Sequence, residues 1–99
     1  LMERISDPRV GICLDVGHAH ASSQIPVREW ISVLGGFIKH VHIHNNDGAV
    51  DLHCGLGDGT LDMEETLALL EDAAPDATYT IDSIQSRPSA EWLAERGFL

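Results

Sequence analysis

The chain has 99 residues, of which 43% are hydrophobic and 22% charged, a composition that allows one small globular domain. Its formal net charge is −10, with six Lys and Arg against sixteen Asp and Glu, so it offers no basic patch to neutralise nucleic-acid phosphates. No apolar run approaches the roughly 20 residues that cross a bilayer, and residues 1–4 lack the pattern of a signal peptide.

Strand patterns and helix patterns alternate along the chain. One helix begins near Pro26 and ends at Gly35. Another begins at a D-x-x-E capping box formed by Asp62 and Glu65. This alternation predicts an α/β fold with parallel strands joined by crossover connections. The predicted strands span about 10–15, 37–44 and 78–82, and the predicted helices span about 27–34, 62–72 and 87–96.

The predicted strands each have one apolar and one polar face, because successive side chains of a strand point to opposite sides. A parallel sheet covered by helices on both faces would be apolar throughout. The pattern therefore favours a barrel with helices outside and functional groups inside, at the C-terminal strand ends. The apolar face consists of Val10, Ile12, Leu14, Phe37, Val41, Ile43, Tyr79 and Ile81, with Lys39 as a misfit; the polar face consists of Gly11, Cys13, Asp15, His40, His42, His44, Thr78, Thr80 and Asp82.

The first polar motif is Asp15-Val-Gly-His18. It places a carboxylate at a strand end and an imidazole three residues later in what we expect to be a loop. Gly17 would permit a sharp turn that brings both groups to one point. A purely structural alternative is that Asp15 caps the loop and His18 is hydrogen-bonded nearby, since this short motif has little specificity. His20 is interpreted either as a residue that supports the ligands from behind or as an ordinary loop residue.

The second motif, His40-Val-His42-Ile-His44, places three imidazoles on one face of one strand. Burying several imidazoles is unfavourable unless partners engage them. Neutral imidazole is a good ligand for Zn²⁺, Mn²⁺ or Co²⁺. We predict His42 as a metal ligand, His44 as a substrate contact near the mouth, and His40 as a structural hydrogen-bonding residue.

Two further acidic positions extend the candidate site. Asp51-Leu-His53 lies in a Gly-rich loop, where the alternative is a solvated surface segment. Asp82 closes the third strand, where it could complete a metal shell, act as an acid or base, or merely cap a loop. The glycines that follow the loop motif suit either unusual backbone dihedrals near a ligand or a flexible connector; they are Gly55, Gly57 and Gly59.

The two cysteines, Cys13 and Cys54, are far apart and form no CxxC motif. We therefore expect no disulfide framework, and we expect a cytoplasmic location. We interpret Cys13 as a small buried strand residue. Cys54 adjoins His53 and could bind metal, but loop packing is favoured.

Four motifs in order resemble the C-terminal part of the xylose-isomerase-like TIM barrels, a superfamily that includes sugar phosphate isomerases and epimerases and endonuclease IV-type abasic-site nucleases. The resemblance covers nearly the whole chain and implies the last three βα units of a (β/α)8 barrel, which needs about 250 residues in full. The four motifs are Gly11-Ile-Cys-Leu-Asp15-Val-Gly-His18, His40-Val-His42-Ile-His-Asn-Asn-Asp47-Gly, Asp51-Leu-His53 and Gly57-Asp-Gly59-Thr-Leu-Asp62.

The resemblance implies roles for individual residues. Asp15 matches the family's metal-binding Asp of the sixth strand, and His42 the metal-binding His of the seventh. Asp82 stands where the family has a metal-binding Glu, which keeps the charge but shortens the reach. His18 matches a residue that contacts substrate in the epimerases and binds metal in the nucleases, where a pair matching Asp51 and His53 holds an additional zinc. The family's fifth-strand Glu and its earlier His ligands have no counterpart here.

The resemblance favours an isomerase or epimerase that uses Mn²⁺, Mg²⁺ or Zn²⁺ on a sugar or sugar phosphate, with Asp82 and His18 in catalytic roles. The alternatives are a zinc-dependent abasic-site nuclease, which the net charge disfavours, and a non-catalytic metal-binding fragment. Residues 1–99 begin in what reads as the end of a helix, so we expect a partial barrel that is unstable or oligomeric, and catalytically inactive, in isolation. Either a homo-oligomer or the N-terminal part of the barrel would then complete it.

Overall fold

The computed structural model describes residues 7–99 and contains one three-stranded parallel sheet with helices packed against it. Strands β1 (Ile12–Asp15), β2 (Ile38–Ile43) and β3 (Thr78–Ile81) lie in the order β1-β2-β3. The α/β class with parallel strands is therefore confirmed, while the predicted helix end at residues 1–4 lies outside the described residues. The helices are α1 (Val16–Ser22), α2 (Val27–Leu34), a 3-10 turn (Gly35–Phe37), α3 (Met63–Ala73) and α4 (Ser86–Glu95).

Helix α1 occupies the segment that was predicted as a loop, so that prediction is wrong. Asp15 caps the helix: its Oδ1 accepts a hydrogen bond from the His18 backbone N–H at 2.8 Å. Gly17 therefore lies inside a helix and not in a sharp turn. It provides space, because a Cβ at this position would lie 2.2 Å from ring atoms of His44. The short helix was missed because its capping partner and its close contact are not visible in the hydrophobic pattern.

An irregularity in the pairing of β1 with β2 explains the misfit at Lys39. Ile12 lies opposite Ile38, but the next residue, Cys13, lies opposite His40. Lys39 is therefore an extra residue on β2, as in a β-bulge. The bulge changes which residues face the core: Ile38 is buried, whereas Phe37 lies in the 3-10 turn and is 42% exposed. The prediction that Phe37 faces the core is wrong for this reason.

The hydrophobic core lies between the apolar face of the sheet and the helices. Val41 and Ile43 of β2 are at most 1% exposed, and Leu14 of β1 is also buried. Ile31 of α2 and Leu70 of α3 belong to the same buried cluster. The core thus fixes β2 and, with it, the direction of the histidines on the opposite side of that strand.

The predicted helix ends are confirmed where local signals specify them. Asp62 caps α3 by accepting a hydrogen bond from the Glu65 backbone N–H at 3.0 Å. Gly35 ends α2 with a positive φ of 46°, which favours glycine. Within residues 7–99, no helix combines the length and the hydrophobicity that membrane crossing requires.

The loop between β2 and α3 is anchored by a buried asparagine. Asn45 is fully buried, and its Nδ2 donates to the carbonyls of Leu56 at 2.8 Å and Leu61 at 3.0 Å. Its Oδ1 accepts hydrogen bonds from the backbone N–H groups of Asn46 and Leu61. These four bonds satisfy backbone groups that no strand or helix pairs, so the loop holds a defined shape.

The glycines of this loop provide space for close contacts. The positive-φ glycines among residues 7–99 are Gly35, Gly48 and Gly97, so the expectation of unusual dihedrals at the three loop glycines is wrong. A Cβ on each would instead collide with a neighbouring atom: Asp58 Oδ2 at Gly55, Trp92 Nε1 at Gly57, and Asn45 Oδ1 at Gly59.

Candidate metal centre

Three polar side chains meet at the C-terminal ends of the three strands: Asp15, His42 and Asp82, here called the strand-end cluster. Asp15 and His42 are register partners on β1 and β2. Nδ1 of His42 lies 3.6 Å from Oδ2 of Asp82, and a carboxylate oxygen of Asp15 lies within 4.8 Å of one of Asp82. Their side chains are 33%, 37% and 45% exposed, so all three are accessible from the polar side of the sheet. The three side chains thus lie at the same edge of the sheet, but the residues whose ligand atoms all lie within 4.8 Å of one another are Asp15, His44 and Asp82. The assignment of His42 as a metal ligand stays a prediction.

The second group, here called the loop cluster, consists of His18, Asp51 and His53. Nδ1 of His18 lies 3.2 Å from Oδ2 of Asp51, and Nε2 of His53 lies 3.5 Å from the same oxygen. His18 belongs to α1, whereas the other two belong to the loop after β2. Asp51 is thus not an isolated surface carboxylate but lies between two imidazoles.

His53 has a backbone conformation that is uncommon for a residue other than glycine. Its φ is +52°, which places it in the left-handed region. Its Nδ1 donates to the backbone carbonyl of Asp82 at 2.8 Å. In the neutral ring this bond leaves Nε2 with a free lone pair directed toward Asp51. A histidine whose Nδ1–H donates to a carbonyl while Nε2 stays free has the arrangement of a metal ligand.

His44 lies between the two clusters and is fully buried. Its Nε2 donates to Asp15 Oδ1 at 2.6 Å, and its Nδ1 lies 3.8 Å from Asp51 Oδ1. Among residues 7–99, no group hydrogen-bonds this Nδ1. β2 ends at Ile43, so only His40 and His42 share the polar face of the strand, and His44 follows its end. The prediction that His44 contacts substrate is not supported, because an enclosed ring cannot reach one.

The rings of His44 and His53 are stacked, with centroids 3.9 Å apart and planes within 2° of parallel. The lone pair of an imidazole nitrogen lies in the ring plane, and a bound metal lies about 2.0–2.1 Å along it. An ion bound by both rings would have to lie in both ring planes, which is impossible because the planes of two stacked rings are parallel and separate. His44 and His53 therefore cannot hold the same ion in these conformations, although their nitrogens and an Asp51 oxygen lie within 4.8 Å of one another.

The donor set fits a divalent cation on chemical grounds. Imidazole nitrogens and carboxylate oxygens are ligands for Zn²⁺ and Mn²⁺, and three carboxylates converge here without a Lys or Arg in the two clusters. The unpartnered Nδ1 of buried His44 and the free Nε2 of His53 both face Asp51. The donor atoms suit one ion at the strand-end cluster and another at the loop cluster better than a single ion shared by His44 and His53.

The pKa values of the loop cluster move in opposite directions. Desolvation by burial raises the pKa of Asp51, but the hydrogen bond from His18 and the neighbouring imidazoles outweigh it and leave the pKa below its usual value. The hydrogen bond to the Asp82 carbonyl raises the pKa of His53, opposed by desolvation and assisted by Asp51. The lowered pKa favours the ionised carboxylate of Asp51, and the raised pKa favours the protonated imidazole of His53. The loop cluster therefore stabilises a negative carboxylate next to a positive charge.

His40 has the structural role predicted for it. Its Nδ1 lies 2.6 Å from the Thr78 hydroxyl and its Nε2 lies 2.8 Å from the Thr80 hydroxyl. Its ring also meets that of His42 edge-on, with centroids 5.2 Å apart. His40 therefore ties β2 to β3 below the candidate metal ligands. His20, predicted in a loop, lies in α1 and contacts the Thr60 hydroxyl at 2.7 Å.

The cysteines differ from each other in accessibility. Cys13 is exposed, so its interpretation as a buried residue is wrong for the described part of the chain. It lies on the polar side of β1, which no element among residues 7–99 covers. Cys54 is half-buried and forms a backbone bridge with Asn45, in line with the packing role predicted for it.

The sequence does not reveal the role of Asn45, and it predicts a role for His44 that differs from its contacts in the fold. Asn45 was not singled out, although an Asn pair directly after a histidine-rich strand could have indicated a structured turn. His44 was assigned to substrate because its distance along the strand suggested the mouth. Its position under α1 follows from the cap at Asp15, which only the folded chain shows.

Comparisons with known proteins agree with this architecture. The family model for the xylose isomerase-like TIM barrel matches residues 1–99. The uncharacterized protein MJ1311 of Methanocaldococcus jannaschii is 29% identical over 92 residues, covering 92% of this chain and 31% of the relative. A crystal structure described as a D-tagatose 3-epimerase-like protein is 31% identical with a TM-score of 0.78, covering 94% of this chain and 36% of that one. The chain thus spans about a third of the length of these relatives.

Proposed function

Because this chain belongs to the xylose isomerase-like TIM barrel family, we propose that it forms part of the active site of a divalent-metal-dependent isomerase or epimerase acting on a sugar or sugar phosphate. The proposal rests on one observation, the placement of Asp15, His42 and Asp82 at the C-terminal ends of three adjacent parallel strands. This is the end at which barrel enzymes hold their substrates. The likeness to a D-tagatose 3-epimerase-like protein supports the substrate class.

In this proposal Asp15 Oδ2, a ring nitrogen of His42 and a carboxylate oxygen of Asp82 would hold the ion. A Mn²⁺, Mg²⁺ or Zn²⁺ ion there would supply Lewis-acid polarisation of a substrate carbonyl and hydroxyl. Because the chain spans about a third of its relatives, we propose that further ligands come from residues outside it.

Asp82 is the proposed proton acceptor for the carbon next to the substrate carbonyl. Its side chain is 45% exposed, and its Oδ2 lies 3.6 Å from His42 Nδ1 and 3.7 Å from His53 Nδ1. An accessible carboxylate beside two imidazoles can take a proton at Oδ2 and return it. His18, which is 63% exposed, would orient a substrate oxygen through Nε2, since its Nδ1 contacts Asp51.

Metal content is the direct test of the assignment. We expect Asp15→Ala and His42→Ala to lower the bound Mn²⁺ or Zn²⁺ per chain, measured by mass spectrometry after dialysis. Asp72→Ala, which removes an exposed carboxylate from α3, is the matched control and should leave metal content unchanged. If both site variants keep the wild-type metal content, the site assignment is wrong.

The reaction class has its own test. Because the proposed site takes further ligands from outside residues 1–99, the assay uses the barrel completed by its N-terminal part. Its incubation with ketoses and sugar phosphates in D2O should place deuterium on the carbon next to the carbonyl, detected by NMR. Asp82→Asn should abolish the incorporation while His20→Gln, outside both clusters, retains it. Metal binding without deuterium incorporation into any sugar would reject the isomerase and leave the non-catalytic alternative.

A zinc-dependent abasic-site nuclease is the second candidate, and the loop cluster favours it. The resemblance associates this triad with an additional zinc, and here His18 and His53 both lie within 3.5 Å of Asp51. The net charge of −10 opposes the candidate, because phosphate contacts need Lys and Arg. Cleavage of a duplex that contains one abasic site, lost in Asp51→Ala, would favour the nuclease over the isomerase.

A further inference from the structure

We propose that His44 is a positioning residue that locks the carboxylate of Asp15, so that Asp15 presents only its Oδ2 atom to the strand-end cluster. The proposal deepens the proposed function and depends on it for the identity of the bound ion. The orientation of Asp15 itself can be measured without any ion.

The first support is the enclosure of the His44 ring. Its side chain is fully buried, and the first turn of α1 lies directly against it, since a Cβ on Gly17 would lie 2.2 Å from both its Cε1 and its Nδ1. On another side it stacks on His53 at 3.9 Å. A ring held on two sides cannot change rotamer without displacing a helix or the neighbouring ring.

The second support is the hydrogen-bonding of Asp15. Oδ1 accepts two bonds, from His44 Nε2 at 2.6 Å and from the His18 backbone N–H at 2.8 Å. Oδ2 accepts none from residues 7–99. Rotation of the carboxylate would break both bonds at once, one of which caps α1. The two donors therefore leave one oxygen for a ligand and fix where it points.

The third support is that His44 is poorly placed to bind the ion itself. A ring nitrogen of His44 does lie within 4.8 Å of carboxylate oxygens of Asp15 and Asp82. Its Nε2, however, is occupied by the hydrogen bond to Asp15 Oδ1, and its ring plane is parallel to that of His53, which excludes an ion shared with that residue. Its effect on the site is therefore transmitted through Asp15. Removing a residue that orients a metal ligand in this way typically lowers metal affinity by about 10–100-fold.

Gly17 offers a second way to disturb the same contact without changing a polar group. Gly17→Ala would force the His44 ring to move, because a Cβ 2.2 Å from ring atoms is sterically impossible. Gly36→Ala is the matched control, since a Cβ there meets no described atom within 4 Å and no positive φ is required. Inside a helix, glycine to alanine normally stabilises, so a loss at Gly17 would be specific to the contact.

The experiment compares four variants of the full chain: His44→Leu, His44→Gln, Gly17→Ala and Gly36→Ala. Mn²⁺ affinity is measured by titration, and exchange of the His18 backbone amide is measured by NMR in metal-free buffer. We expect His44→Leu and Gly17→Ala to weaken Mn²⁺ binding about 10–100-fold and to accelerate exchange at His18, with amides of α2 unchanged. His44→Gln, which restores a donor of similar reach, should recover both readouts in part, and Gly36→Ala should match wild type.

The outcomes separate the two proposals. If the wild-type protein binds no Mn²⁺, Zn²⁺ or Mg²⁺ even when its barrel is complete, the proposed function fails, and the His18 exchange rates still decide the role of His44. If His44→Leu exchanges at His18 as slowly as wild type, the positioning role is overturned. It is also overturned if His44→Gln is as impaired as His44→Leu, since a general loss of packing would then explain both.

Discussion

The two sides of the sheet have different roles although the same strands form them. On one side, Leu14, Val41 and Ile43 are buried under α2 and α3. On the other side, Cys13 is exposed and His40 and His42 are half-buried, hydrogen-bonded or facing acidic side chains. The apolar side has the contacts that stabilise the fold, and the polar side has the groups that we propose to hold the metal ion. Substitutions on the two sides should therefore affect different measurements.

The largest difference is expected between neighbours on β2. Ile43→Ala removes a side chain that is 1% exposed and should lower the free energy of unfolding by about 2–5 kcal/mol. His42→Ala, on the polar side and 37% exposed, should change it by less than about 0.5 kcal/mol in metal-free buffer. Urea unfolding followed by circular dichroism measures both. Equal losses would show that the polar side also stabilises the fold.

Substitution of Asn45 should cause the next largest loss of unfolding free energy, because its side chain holds the loop that follows β2 and carries the loop cluster. Asn45→Ala would remove the hydrogen-bond partners of several backbone groups in the loop. Each such group that water cannot reach destabilises the folded state by about 1–3 kcal/mol. We expect a loss of about 2–4 kcal/mol in unfolding free energy together with loss of metal binding at the loop cluster. Gln24→Ala, at an exposed loop position, is the control in the same thermal and metal assays. Intact stability in Asn45→Ala would show that the loop does not depend on this residue.

The polar side and the strand edges should drive self-association of the isolated chain. Among residues 7–99, neither the outer edge of β1 nor that of β3 is paired with another strand, and open edges readily pair with other chains. We predict oligomers or low stability for the 99-residue chain, measured by sedimentation and thermal denaturation. A monodisperse monomer that unfolds cooperatively would contradict this.

Thiol reactivity can show which surface associates. Cys13 is exposed on the polar side, whereas burial raises the pKa of the Cys54 thiol and lowers the fraction of reactive thiolate at a given pH. At low protein concentration we expect iodoacetamide to modify Cys13 several times faster than Cys54, as followed by mass spectrometry of peptides. Raising the concentration should slow only Cys13. Equal slowing of both would place the contact elsewhere.

The comparison of the two sides also explains what the sequence could predict. Alternation of apolar and polar residues is a local signal, so the strands, the parallel class and the side on which Asp15 and His42 lie were predictable. The N-cap at Asp62 is local too and was confirmed, since Asp62 accepts a hydrogen bond from the Glu65 backbone N–H. The reciprocal bond to the Glu65 side chain that would complete a capping box does not occur among residues 7–99. The bulge at Lys39 depends on pairing with β1, and the burial of His44 depends on α1 lying over it. Such contacts join residues that are far apart in sequence, so the spacing of apolar residues along the chain does not predict them.

The smallest expected effect is at Asp47, at the exposed start of the loop. Hydrogen bonds from the backbone N–H groups of Val50 and Ala49 lower the pKa of Asp47 from its ordinary value of 3.8. Because the folded pKa lies below the unfolded one, the carboxylate stabilises the loop fully above pH 3.8, and this stabilisation is lost as the pH falls through the lower, folded value. Amide exchange at Ala49 and Val50, corrected for intrinsic rates, should therefore become faster on acidification, and Asp47→Asn should show a weaker pH dependence. If Asp47→Asn keeps the wild-type pH dependence, another acidic group controls this turn, and the order of the loop would then depend on the neighbouring clusters.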